Sequence, residues 1–79
     1  MLEIGQTFMY SEKEYKIIFK NEKKDRLIIQ PIVFGDDLII YPKINEIIEI
    51  SELDKFERIR FKVSYINEGQ KRITLKSIK

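Results

Sequence analysis

Five basic side chains recur at even spacing late in this sequence, the pattern a β-strand needs to present an anion-binding face. Arg58, Arg60 and Lys62 stand two apart in residues 58–66, Arg-Ile-Arg-Phe-Lys-Val-Ser-Tyr-Ile, and Arg72 and Lys76 are four apart in residues 71–78. Side chains of a strand point alternately to its two faces. Ile59, Phe61, Val63 and Tyr65 are therefore expected on one face, and the cations on the other. Residues 67–70, Asn-Glu-Gly-Gln, read as the turn of a hairpin. Pairing across that turn collects five cations on one sheet face, and like charges directly opposite one another are unfavourable. Nucleic-acid phosphates would offset the repulsion. So would the acidic middle of the chain, folded alongside. A solvated face that guards a strand edge against mispairing is the third reading.

Other chemistry lacks its parts. The chain has neither cysteine nor histidine, so thiolate and imidazole metal sites, cysteine nucleophiles and the commonest general base are all excluded. Asp36, Asp37, Glu46 and Glu49 are the carboxylates that an acid–base or metal pair would use. Ser11, Ser51, Ser64 and Ser77 have no base to activate them. Gly5 and Gly69 are single turn glycines, and no glycine-rich phosphate loop is present. The expectation is a binding protein and not an enzyme, with no cofactor and no metal.

The elements that carry the cations follow from composition and period. Alanine is absent, while isoleucine occurs 16 times beside five phenylalanines and four tyrosines. β-branched and aromatic residues suit a pleated, half-buried surface. Strands are expected at residues 6–10, 15–20, 26–33 and 38–41, with a bent one at 44–50 before the hairpin. Tyr15, Ile17 and Phe19 share a face, opposite Lys16 and Lys20. Leu27, Ile28 and Ile29 do not alternate, which suits a barrel wall. Pro31 lacks an amide donor and belongs at an edge or a strand's end. A capped helical turn near 51–57 is the only helix-like piece. Seventy-nine residues make one domain, 1–79. The fold class expected is all-β, a small antiparallel barrel (SH3-like, Tudor-like or OB-like) of five to six short strands.

Charge is unevenly placed along the chain. Residues 1–35 balance at +1, residues 36–57 at −5 and residues 58–79 at +6, so a net +2 conceals two poles. The first functional expectation is nucleic-acid binding, with Arg58, Arg60, Lys62, Arg72 and Lys76 as phosphate contacts of little sequence preference. Aromatic side chains on the same face would add base stacking, but Phe61 and Tyr65 are expected in the core. The alternative is a protein-interaction module. It would act through an apolar patch, a sheet edge or the acidic 36–57 segment, as a compact inhibitor or adaptor of the kind phages and mobile elements encode, or as a homodimer. Ile18, Ile28, Ile47 and Ile66 fall out of phase with their strands and are candidates for such a patch. Neither a signal peptide nor a run of about 20 apolar residues is evident, so the expectation is a cytoplasmic protein without a membrane partner.

Overall fold

Apolar alternation becomes six strands in the computed structural model, which describes residues 2–23, 25–35, 38–52 and 57–78. They are β1 (Thr7–Tyr10), β2 (Lys13–Lys20), β3 (Arg26–Pro31), β4 (Ile47–Ser51), β5 (Arg58–Asn67) and β6 (Arg72–Ser77). All neighbours are antiparallel, in the order β1-β2-β3-β6-β5-β4. The sheet curls until its edge strands β1 and β4 approach, giving a nearly closed barrel. Side chains bridge the remaining seam. The buried Gln6 amide donates to the Ser51 carbonyl at 2.9 Å, and the Tyr10 hydroxyl donates to Glu46. No described helix is long and apolar enough to cross a membrane.

Two alternate residues from each of five strands fill the barrel: Tyr15 and Ile17, Leu27 and Ile29, Ile48 and Ile50, Phe61 and Val63, Ile73 and Leu75. Leu2 joins this core, and β1 adds Phe8 and Tyr10, partly buried. Nine of these side chains, Phe61 the largest, are under 2% exposed. Apart from Leu27 and Leu75, the ten inward residues are β-branched or aromatic, so alternation and propensity largely select the same conformation.

Turn chemistry sets the registers. Ser11 and Glu12 alone join β1 to β2, both with positive φ (51° and 64°), as a two-residue turn that matches strand twist requires. Between β2 and β3 the Asn21 side-chain oxygen accepts from the amides of Asp25 (3.1 Å) and Arg26 (3.0 Å). Asparagine replaces a missing backbone partner there and fixes where β3 starts.

Several sequence expectations change. Residues 38–41 form no strand but run as irregular chain, and residues 44 and 45 are a turn in which Asn45 takes φ 73°. The fourth strand is thus β4, starting at Ile47. β3 stops at Pro31, which sits at the strand's end as its missing donor requires. The helical turn expected near 51–57 falls mainly on residues 53–56, outside the described residues. Ser51 itself belongs to β4.

The largest departure is in phase. The β2–β3 register slips between Ile17 and Phe19, and the β5–β6 register slips between Val63 and Tyr65. Each slip is a bulge, where one extra residue (Ile18, then Ser64) lets two residues oppose one. A one-residue slip moves every later side chain to the other face. Phe19 and Tyr65 therefore leave the core face and stand 44% and 59% exposed. Ile66, out of phase by simple alternation, turns inward against the core.

Candidate nucleic-acid interface

The β3–β6–β5 wall brings the cations together on the outside of the barrel. Arg58, Arg60, Lys62, Arg72 and Lys76 are all exposed on its outer face. Lys62 lies directly opposite Lys76, and Lys76 lies directly opposite Arg26 of β3. Three cations thus form one cross-strand row. Arg26 was not among the residues expected from sequence, because pairing of β3 with β6 is long-range. Arg72 stands on the same face of β6 as Lys76, four residues away and opposite Asn67.

The remaining two arginines are partly neutralised. Glu49 of β4 lies opposite Arg60 and places its carboxylate 3.7 Å from Arg60 and 3.6 Å from Arg58. Glu49, from the acidic middle of the chain, therefore offsets charge at one end of the basic face. These three side chains are 44–70% exposed, so solvent and salt screen the pairs. Among the described residues, no carboxylate makes an ion pair with Arg26, Lys62, Arg72 or Lys76. Asp25 directly precedes Arg26 in the chain. The Asn21 hydrogen bond, followed by lesser contributions that include the charges of Lys23 and Arg26, holds that carboxyl below its usual range.

A second row runs beside the first. Phe19 is opposite Ile28, Ile28 opposite Thr74, and Thr74 opposite Tyr65. Two residues along each strand is roughly 7 Å, so this aromatic-edged row adjoins the Arg26–Lys76–Lys62 row on one side and Arg72 on the other. Ile28 and Thr74 are half-buried between the two rings. Ser64, the extra residue of the β5 bulge, donates its hydroxyl to the Thr74 carbonyl at 3.1 Å and so pins the distortion that turns Tyr65 outward.

The other tyrosines lie elsewhere. Tyr10, Tyr15 and Tyr41 line an open hollow of about 230 Å³ with Lys43 and Glu46. Burial first, then the hydrogen bond and charge of Glu46, push the Tyr10 hydroxyl from 10.0 up to about 12. A raised acid pKa means that folding favours the protonated hydroxyl. The stability it contributes is complete below pH 10 and is lost as pH rises from 10 through about 12. Melting temperature should fall across that window, and Tyr10→Phe should lessen the fall; an unchanged alkaline profile in Tyr10→Phe would show that Glu46 does not hold the phenol. No protein-family model, curated protein or solved structure matches this chain.

Proposed function

We propose that this protein is a non-enzymatic β-barrel that binds nucleic acid electrostatically, through the outer face of β3, β6 and β5. The observation that carries the reading is the Arg26–Lys76–Lys62 row, where three cations face one another without a paired carboxylate among the described residues. Such an arrangement is unfavourable in the isolated fold. Polyanion phosphates reverse its sign, since each neutralised phosphate releases condensed counterions. Arg26, Lys62, Arg72 and Lys76 are the contacts with no ion-pair partner among the described residues. Arg58 and Arg60 extend the field, at a discount for Glu49.

The test is a salt titration of binding to a labelled oligonucleotide. Four contacts predict a log–log slope of about −3 on a single strand and about −3.6 on a duplex. Raising salt from 50 to 200 mM should then weaken single-strand binding about 50-fold. Absence of binding at 50 mM salt would remove the reading.

A protein-interaction module is the second reading, and one observation favours it. Phe34, Leu38 and Ile40 of the β3–β4 connection and Met9 of β1 are 63–88% exposed around an open hollow of about 470 Å³. Large apolar side chains gathered at that exposure commonly mark a contact surface. None of them belongs to the basic face, so charge changes at Lys62 and Lys76 would leave such an activity intact.

A further inference from the structure

We propose that the polynucleotide recognised by the β3–β6–β5 face is unpaired, with Phe19 and Tyr65 serving as stacking platforms for its bases. This rests on the nucleic-acid reading above and adds the class of ligand. Strict alternation would bury both rings, with Phe19 following Tyr15 and Ile17, and Tyr65 following Phe61 and Val63. Instead each ring is preceded by its own bulge, and each is turned to the same outer face. Two separate backbone distortions thus deliver one result, an exposed aromatic at either end of a single cross-strand row. Burying both would have suited the core of a chain this small, where large side chains matter most.

The surroundings of the rings select the occupant. The row spans three interstrand spacings, roughly 14 Å along the curved sheet, which suits two or three nucleotides of an extended strand. Arg26, Lys76 and Lys62 line one side of it, and Arg72 stands on the other. Charge complementarity therefore favours a polyanion, with a phosphate backbone flanking the bases. Stacking on exposed rings beside a cationic track is the general means by which proteins hold single strands with little sequence preference. A duplex keeps its bases inside the stack, so it would reach only the cations.

The experiment compares labelled 12-residue oligothymidylate, oligouridylate and a 12-base-pair duplex at 50 mM salt. At least one single strand should bind about 10-fold more tightly than the duplex. Tyr65→Ala and Phe19→Ala should each lower single-strand affinity about 10-fold and leave duplex affinity unchanged, while Tyr65→Phe retains binding. Tyrosine emission supplies a readout of stacking itself, because the chain has four tyrosines and no tryptophan. Quenching by oligothymidylate should be smaller in Tyr65→Ala. Far-UV circular dichroism checks folding, and the exposure of Tyr65 makes its variant safe even if Phe19→Ala is not. Equal affinity for duplex and single strand, with Tyr65→Ala unaffected, would overturn this inference and leave the electrostatic reading standing. No binding to any of the three probes would overturn both.

Discussion

Lys76→Glu should raise the stability of this protein while weakening its binding to nucleic acid. Lys76 stands between Lys62 and Arg26 in the cross-strand row, so the substitution replaces two repulsive pairs with two attractive ones. Exposed cross-strand pairs contribute roughly 0.2–1 kcal/mol each, which predicts a gain of about 1 kcal/mol and a melting temperature about 4–8 °C higher. Screening makes that gain smaller at high salt. Binding should change the other way: one phosphate contact disappears and an acid faces the ligand. A loss of about 10-fold or more at 50 mM salt is expected, with a salt slope shallower by about 1. Lys43→Glu makes the same change in net charge at an exposed residue outside strands β3, β5 and β6, and it should leave affinity nearly unchanged. Opposite signs for stability and binding would mark the row as retained for a ligand. Unchanged binding in Lys76→Glu would identify the row as a solvated surface.

Phe61→Ala should abolish cooperative folding or come close to it. Phe61 is the largest of the fully buried side chains and lies at the centre of β5, opposite Ile48 of β4 and Ser77 of β6. Truncating a buried phenylalanine costs about 3–5 kcal/mol through lost burial and the cavity left behind. A domain of this length has only about 4–12 kcal/mol in total. Urea denaturation should show a midpoint shifted far toward zero, or no native baseline. Tyr65→Ala, four residues along the same strand, should cost under about 0.5 kcal/mol because that ring is exposed. Simple alternation assigns the two rings the same role, so this pair of melts measures the bulge directly. Similar losses in both variants would place Tyr65 back in the core.

The bulges left a trace in the sequence that is easily passed over. Apolar residues at 59, 61 and 63 are followed by one at 66, a change of parity inside a single strand. Ile17, Ile18 and Phe19 carry the same mark as a contiguous run. Read as bulges, these patterns place Ile66 inside and Phe19 and Tyr65 outside, as the registers have it. Read as outliers from a fixed period, they hide two exposed aromatics on the face that carries the cations. Residues 38–41 misled in the opposite way. Four apolar residues before a proline resemble a strand, but Leu38 and Ile40 are 88% and 67% exposed, and none of the described strands pairs with them. Propensity alone does not form a strand without a partner to receive its hydrogen bonds.

What the sequence determined by itself was local. Composition and period two imply an all-β chain, and the inward residues of β6, Ile73 and Leu75, follow from alternation alone. The hairpin of β5 and β6 is joined by a short turn, so its pairing needs no long-range information and the outward phase of its five cations is legible. The tertiary structure alone decided which strands meet across the chain. Placing β3 against β6 adds Arg26 to Lys76 and Lys62, and placing β4 against β5 brings Glu49 to Arg58 and Arg60. It also decided that Phe19 and Tyr65 end one continuous row, since that depends on both bulges and on β3 and β6 lying between them. The physical reason is that alternation assigns a side chain to a face but says nothing about the neighbour beside it. A binding surface, by contrast, is made of neighbours from distant parts of the chain.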